Sequence, residues 1–102
     1  MEVRIPFRPM FEEPMRTGVK TCTSRSKIMG QPGDRFRAFG KWFEIVSVED
    51  VALCEVAALW KEEGCESRED FIEVWNSIHP VKKYSDYQRV YLHRFKHAEA
   101  KP

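Results

Sequence analysis

Hydrophobic and polar residues alternate in several short stretches of the chain, and this alternation predicts β-strands. The stretches cover residues 3–7, 35–39, 42–48 and 90–96, because successive side chains of a strand point to opposite faces of a sheet. A tight connection at residues 40–41 joins the second stretch to the third and predicts a hairpin. Pro6 marks the end of the first strand or an exposed sheet edge, since proline has no N–H to donate.

Two later stretches instead show the spacing of amphipathic helices. The first helix is predicted over about residues 54–63 and ends at Gly64, although residues 51–53 also fit an extension of the preceding strand. The second begins after Ser67, which can cap its first turn, and stops before Pro80. Its apolar residues recur at helical spacing and predict one stripe that packs on the sheet: Phe71, Val74, Trp75 and Ile78.

Residues 9–17 predict a short, irregular helical turn before the chain becomes extended. Pro14 prevents a regular helix interior, and Gly18 suits the left-handed position that ends a helix. The apolar residues of this segment are expected to face inward together: Met10, Phe11 and Met15. The turn therefore delivers the following residues to the start of a strand.

The order of these elements predicts the class of fold. Five or so short strands are expected, with two helices inserted between the hairpin and the last strand. We therefore expect an α+β fold, a small and mostly antiparallel β-barrel with helices packed on its side. The length of 102 residues predicts a single domain over residues 1–102.

Composition narrows the class of protein. A hydrophobic fraction of 42% and an aromatic fraction of 13% exclude a disordered chain. The three cysteines stand far apart and cannot all pair within one chain, so we expect a reducing cytoplasm. No stretch approaches the ~20 apolar residues of a membrane span, and the first residues lack the pattern of a signal peptide. We expect no membrane contact and no targeting signal; the oligomeric state is left open.

The net charge of +1 is unevenly distributed. Residues 1–41 contain nine Lys and Arg against four Asp and Glu, and residues 81–102 contain six against two. Residues 42–80 contain two against ten. If the two ends of the chain meet, they form a basic surface that suits a phosphate-bearing partner. The alternative is that these charges are scattered solvated residues.

Residues 17–25 look selected for chemistry rather than for packing. Gly18 precedes Lys20, and the extended segment then places Thr21, Thr23 and Arg25 on one side. Cys22 and Ser24 fall on the other side. One face therefore carries a row of hydroxyl groups that ends in a guanidinium.

The chain resembles the ASCH family, a branch of the PUA-like fold. Residues 18–25 resemble the family's Gly-x-Lys-Thr-x-Thr-x-Arg segment. Further matches are Gly33 and Asp34 at a turn before a strand, Glu63 and Gly64 with the helix at residues 71–75, and Phe95 near the last strand end. The resemblance covers most of the chain and implies a cleft that binds RNA or a nucleotide, lined by Lys20, Thr21, Thr23 and Arg25.

The same resemblance implies an alternative function. Some small members of the family are amidohydrolases that remove the acetyl group from N4-acetylcytidine with a Lys, a Thr and a Glu. These correspond to Lys20, Thr23 and either Glu62 or Glu63, of which Glu63 is preferred because it directly precedes Gly64. Thr23 would be the nucleophile, Lys20 its activator and Glu63 the acid and base. The structural alternative is a solvated Lys20 beside ordinary strand threonines.

Aromatic and histidine residues suggest further contacts. The loop at residues 82–89 combines Tyr84 and Tyr87 with basic residues, which fits single-stranded RNA or a solvated loop equally well. Trp42 is open to a stacking role, whereas Trp60 and Trp75 fit core positions. His93 and His97 are too far apart on a strand to share a metal ion, so we expect no metal and no cofactor.

Overall fold

The structure is a computed structural model and describes residues 1–99 of the chain. The sheet elements are antiparallel strands, and the helices are short except for the last. In chain order the elements are a 3-10 turn (Pro9–Phe11), α1 (Glu12–Arg16), β1 (Cys22–Arg25), β2 (Arg35–Ala38), β3 (Lys41–Ala52), α2 (Leu53–Ala57), α3 (Arg68–Ile78) and β4 (Arg89–Ala98).

The four strands form one antiparallel sheet in the order β1-β4-β3-β2, curled into a half-barrel. A register shift between Ile45 and Ser47 interrupts the pairing of β3 with β4, as a bulge that bends a strand does. The α+β class and the antiparallel sheet are confirmed. The part of the chain that the structure describes shows β1 and β2 as two open edges, not a closed barrel.

The predicted hairpin is confirmed, with its turn one residue earlier than expected. Lys41 already pairs with Ala38, so the two turn residues are Phe39 and Gly40. Both have positive φ, 52° and 78°, which is the backbone of a type I′ turn. This conformation matches the right-handed twist of the strands that it joins.

The strand predicted at residues 3–7 is wrong. This segment meets the sheet through one isolated parallel bridge, Glu2 to Arg35, with Val3 N donating to Arg35 O at 2.8 Å. Ile5 is buried, and Val3 and Phe7 pack against the core. The alternation of apolar and polar residues in this segment therefore reflects one buried side, and the segment does not form the hydrogen-bonded ladder of a strand.

The two helices between β3 and β4 differ from the prediction in one respect. Helix α3 begins after Ser67, whose Oγ accepts from Asp70 N at 3.0 Å, and it ends before Pro80 as expected. Helix α2 is much shorter than predicted, because the chain after Ala57 forms successive turns as far as Gly64. Strand β3 extends to Ala52, so residues 51 and 52 belong to the strand. The apolar residues after Ala57 therefore pack against the core as part of turns and not of a helix.

The turn before β1 follows the prediction except at one side chain. Phe11 and Met15 are buried, whereas Met10 is exposed. Gly18 has a φ of 81°, in the left-handed region that favours glycine. The 3-10 geometry over Pro9–Phe11 turns Met10 away from the core side.

An aromatic cluster fills the core on one side of the sheet. Phe36 and Phe43 stack at 5.5 Å between ring centroids, and Phe95 meets both rings edge to face at 5.4 Å. Phe7 completes the cluster at 5.7 Å from Phe36. No helix among residues 1–99 is long and apolar enough to cross a membrane.

Candidate functional site

The start of β1 is held in place by the turns that follow α2. Lys20 N donates to Pro14 O at 2.9 Å, which fixes the backbone behind α1. Thr21 N and Cys22 N then both donate to Glu62 O, at 2.8 and 3.2 Å. Residues from two distant parts of the chain therefore lie side by side at this edge of the sheet.

Lys20 is a buried ammonium group with three acceptors. Its side chain is 1% exposed, and Nζ donates to Glu63 O at 2.6 Å, Cys22 O at 2.8 Å and Glu63 Oε1 at 3.3 Å. An ammonium group has three donors, so each of them has a partner. Phe11 packs on the same group, with its ring centroid 4.4 Å from Nζ. These hydrogen bonds and Phe11 therefore hold the Lys20 side chain in one position.

Glu63 faces this ammonium, and its second carboxylate oxygen binds a hydroxyl group. Oε2 accepts from Ser24 Oγ at 2.6 Å, and Cys22 Sγ lies 3.8 Å from the same atom. Of the two neighbouring glutamates, Glu63 therefore contributes its side chain and Glu62 its backbone carbonyl. The result is a buried chain of contacts from Lys20 through Glu63 to Ser24.

Gly64 makes this arrangement possible. Its φ is 91°, and a Cβ at this position would lie 3.1 Å from both Cβ and Cδ of Lys20. A side chain would therefore collide with the lysine stem in addition to straining the backbone. The glycine lets the turn approach β1 closely enough for Glu63 to reach Lys20.

Thr23 and Arg25 form a separate pair on the other face of β1. Arg25 Nε donates to Thr23 Oγ1 at 3.3 Å, and Nη2 donates to Pro6 O at 2.8 Å. The guanidinium also lies over the ring of Phe7 at 5.0 Å. Burial lowers the pKa of Arg25 below its ordinary value. Among residues 1–99, no hydrogen bond joins Thr23 Oγ1 to Lys20 or Glu63.

Both groups of residues border one cavity of about 560 Å³. This volume lies within the roughly 300–1,000 Å³ usual for small-molecule sites. The polar end is formed by Lys20, Thr23, Ser24, Arg25 and Glu63. The apolar part of the lining comes from Phe7, Phe11, Cys65, Phe71, Val74, Trp75 and Ile78.

Trp75 and His79 bring two stacked aromatic rings to the cavity lining. Their rings stack at 4.1 Å between centroids, and both residues line the cavity. The indole Nε1 is buried and has no hydrogen-bond partner in the part of the chain that the structure describes. A buried N–H without an acceptor is costly, which makes it a candidate contact for a bound molecule.

The cavity also borders exposed cations. Arg8 and Lys27 line it together with Arg25, so two segments of the chain bring positive groups to the cavity. Arg8 in addition donates to Ser77 Oγ at 3.1 Å, which ties the N-terminal segment to the end of α3. The ion pair of Lys20 with Glu63 cancels within itself, so the lining is net positive.

Most of the predicted site residues come together here. Lys20, Thr23, Arg25 and Glu63 line the cavity, whereas Thr21 does not and contributes backbone contacts to Glu62 and Phe95. As predicted from strand alternation, Ser24 and Cys22 share one face of β1, opposite the face that carries the row of hydroxyl groups. The side chain of Glu63 contacts this Ser24 and Cys22 face. The alternation of the strand was predictable, but the position of the carboxylate was not.

Helix α3 has a role that its sequence pattern does not indicate. The stripe that was expected to pack on the sheet lines the cavity instead. Trp75 is buried as expected, and Tyr84 and Tyr87 lie outside the cavity lining. Tyr84 instead donates to Asp86 Oδ1 at 2.9 Å, and burial together with this bond raises its pKa.

The two thiols near the site are poor nucleophiles. Burial raises the pKa of Cys22 far above its ordinary value, with the Glu63 charge adding to the effect. Burial also raises the pKa of Cys65 to about 11, and the Asp70 charge contributes. Since the thiolate is the reactive form of cysteine, both groups are inert near neutral pH.

His93 has a structural role beside the site. Its Nε2 accepts from Met29 N at 2.9 Å, and Nδ1 lies 3.0 Å from Tyr91 O. The ring therefore fixes the loop that carries Met29, a residue of the cavity lining. His97 is instead exposed and packs on Phe43 at 4.7 Å. Residues 1–99 contain no group of three or more potential metal ligands.

The arrangement defines an α+β fold with a half-open sheet and a cavity beside the edge strand β1. No protein-family model matches the sequence, and no curated protein matches it either. Similar solved structures exist. The crystal structure of the hypothetical protein PH0355 is 15% identical, with a TM-score of 0.74 over 96% of this chain and 100% of that one.

Two further solved structures are similar to this chain. The solution structure of PF0455 from Pyrococcus furiosus is 18% identical, with a TM-score of 0.67 over 98% of this chain and 100% of that one. An ASCH domain from Lactobacillus crispatus is 14% identical, with a TM-score of 0.54 over 83% of this chain and 68% of that one. The chain therefore has an ASCH-like fold.

Proposed function

We propose that the cavity binds a nucleoside or nucleotide, either free or as one unit of RNA. The observation behind this proposal is that stacked aromatic rings line the same cavity as hydroxyl, carboxylate and guanidinium groups. A base has two apolar faces and a polar edge, which match these two parts of the lining. The ASCH-like fold is consistent with RNA binding.

The cations around the cavity support a ligand that carries phosphate. Arg25 is the best placed, because its planar group is held by Thr23 and Phe7 and lines the cavity. A guanidinium suits a phosphate or a base edge because it offers paired donors. The volume accommodates a single nucleotide, so RNA would be held through one extruded unit.

Titration calorimetry with cytidine, cytidine monophosphate and a short single-stranded RNA tests this proposal. We expect binding of the phosphorylated ligands to weaken as salt increases, and Arg25→Gln to weaken nucleotide binding by about tenfold. Arg37→Gln is the matched control, since Arg37 is exposed and does not line the cavity. Absence of binding by all three ligands would reject the proposal.

A second candidate function is hydrolysis of an N-acylated nucleoside such as N4-acetylcytidine. The specific observation in its favour is a buried carboxylate, Glu63, that contacts both a hydroxyl and an ammonium group at the cavity end. Such a carboxylate can accept a proton from an attacking group and return it to the leaving amine. The resemblance to small ASCH amidohydrolases points to the same reaction, with Thr23 as nucleophile and Lys20 as its activator.

Chromatography of N4-acetylcytidine after incubation with the protein tests the second function. We expect cytidine to accumulate and Glu63→Gln to slow its formation by at least about 100-fold. Glu62→Gln is the control, because Glu62 contributes only its carbonyl to the contacts that hold β1. No turnover of N4-acetylcytidine or of related N-acyl nucleosides would leave the cavity with a binding function.

A further inference from the structure

Ser24 is the hydroxyl group that the carboxylate at the site contacts. Its Oγ donates to Glu63 Oε2 at 2.6 Å, and the residue is 8% exposed and lines the cavity. A hydroxyl at this distance from a buried carboxylate has the geometry of a nucleophile with its base. Thr23, one residue earlier, lies on the opposite face of β1 across from His93.

The other candidate nucleophiles lack such a base. The hydrogen bond of the Thr23 hydroxyl is with Arg25 Nε, which is a donor and cannot accept a proton. Cys65 lines the cavity, but its thiol stays protonated near neutral pH because burial raises its pKa. Cys22 is fully buried and does not line the cavity.

Lys20 is not arranged to act as the base. Each of its three donors points to an oxygen acceptor, two backbone carbonyls and Glu63 Oε1. A lysine base would need a free lone pair and a short contact to a hydroxyl, and this geometry offers neither. Lys20 instead holds the Glu63 side chain so that Oε2 faces Ser24.

We propose that Ser24, in place of the Thr23 that the family resemblance implies, is the nucleophile of this site, with Glu63 as its base and Lys20 as the positioning residue for Glu63 instead of an activator of Thr23. The inference rests on the proposed amide hydrolysis. Ser24 Oγ forms a bond to the acyl carbon as its proton passes to Glu63 Oε2. The carbon–nitrogen bond then breaks, and the departing amine takes that proton from Glu63. An ester on Ser24 remains.

Water completes the cycle. A water molecule gives one proton to Glu63 and attacks the ester carbon, and the bond to Ser24 Oγ breaks. Ser24 recovers its proton from Glu63, and the carboxylic acid leaves. The net reaction consumes one amide and one water, with no oxidant, reductant or metal ion.

Acylation by p-nitrophenyl acetate tests this assignment without the natural substrate. We expect a burst of p-nitrophenolate equal to one site per protein, and an acetyl ester that hydroxylamine removes. Fragmentation mass spectrometry should place it on Ser24. Ser24→Ala should lower the burst rate by at least about 100-fold, and Glu63→Gln should slow it to a similar extent.

Matched variants separate a chemical role from a structural one. Ser24→Thr keeps the hydroxyl and should retain a slower burst, and Ser85→Ala, an exposed loop position, should leave it unchanged. Thr23→Val should still form the ester on Ser24. Thermal unfolding by circular dichroism checks that each variant is folded. No ester on wild type, an ester on Thr23, or an equal burst in Ser24→Ala would overturn the assignment.

The result also separates this inference from the proposed function. If Ser24 is acylated but N4-acetylcytidine is not hydrolysed, the nucleophile stands and the nucleoside class is wrong. If N4-acetylcytidine is hydrolysed equally by wild type and Ser24→Ala, the function stands and the role of Ser24 is rejected.

Discussion

At the scale of single residues, the Lys20–Glu63 pair is the main energetic feature of the site. Both side chains are almost fully buried, at 1% and 6% exposed, and their Nζ to Oε1 distance is 3.3 Å. Burial of one charge without the other is strongly unfavourable, whereas a matched pair is close to neutral in stability. The pair is therefore best explained by the cavity that it borders rather than by a gain in stability.

Removal of the ammonium alone should destabilise the protein. We expect Lys20→Met to lower the free energy of unfolding by about 3–5 kcal/mol, because it leaves the Glu63 carboxylate buried without its partner. The double variant Lys20→Met/Glu63→Gln should recover a large part of this loss, since the remaining side chain is neutral. Urea unfolding of both variants measures the difference.

The control for this prediction is Lys27→Met, which alters an exposed lysine of the cavity rim. We expect its stability to stay within about 0.5 kcal/mol of wild type. Equal stability of Lys20→Met and Lys27→Met would show that the Lys20 charge is not buried against Glu63 in solution.

At the scale of elements, the turns after α2 determine the site. Gly64 allows them to approach β1, and it combines a positive φ with a close contact to Lys20. Gly18 has a similar φ of 81°, but a Cβ added there would meet no atom within 4 Å. Gly18 therefore serves as a control for backbone strain alone.

Alanine at these two glycines should give different results. We expect Gly18→Ala to cost about 1–2 kcal/mol of unfolding free energy, the cost of a left-handed alanine. Gly64→Ala should cost more than that and should also weaken ligand binding, because the new methyl group displaces the Lys20 stem. Chemical unfolding and ligand titration of both variants measure this. Equal costs, with binding intact in both, would contradict the packing argument.

The elements that could be predicted are those with local signals. The hairpin follows from alternation around a glycine, and α3 follows from Ser67, its apolar stripe and Pro80. Alternation misled at residues 3–7, where the buried side chains have no ladder to support them. The placement of Glu63 against Lys20 and Ser24 spans 43 and 39 residues, so no local pattern could indicate it.

At the scale of the whole molecule, ion pairs mix the charges of the three segments. Arg35 pairs with Glu44, Arg89 with Asp50 and Arg94 with Glu49. The acidic middle of the chain therefore lies beside basic residues from both ends. Of the two alternatives for the charges, these ion pairs favour scattered residues over one basic and one acidic surface. The cations at the cavity are therefore the better candidates for phosphate contacts.

The stability of the whole molecule should depend on His93. Burial lowers its pKa in the folded protein, and its Nε2 must be unprotonated to accept from Met29 N. A histidine in the unfolded chain has a pKa of about 6.5. Just below this pH the unfolded state therefore binds more protons than the folded state does. The contribution of His93 to the stability of the folded protein is therefore present above about pH 6.5, and it is lost as the pH falls through the folded-state pKa of His93.

Unfolding measurements at about pH 7.5 and about pH 5 check this dependence. We expect wild type to lose more stability on acidification than His93→Gln, by about 1.4 kcal/mol for each unit that the folded-state pKa is lowered. His97→Gln, an exposed position, should keep the wild-type slope. The same slope in all three proteins would rule out His93 as the source.

The Glu62 carbonyl that accepts from Thr21 N and Cys22 N also has a consequence for how the chain folds. These contacts span about 40 residues, so we expect them to form after the hairpin, because closing a long loop costs entropy that local contacts do not. Folding intermediates with a complete hairpin would thus have no cavity. We therefore expect any ability to bind a ligand to arise only after the hairpin has formed, and a bound ligand would hold together the two parts of the chain that line the cavity.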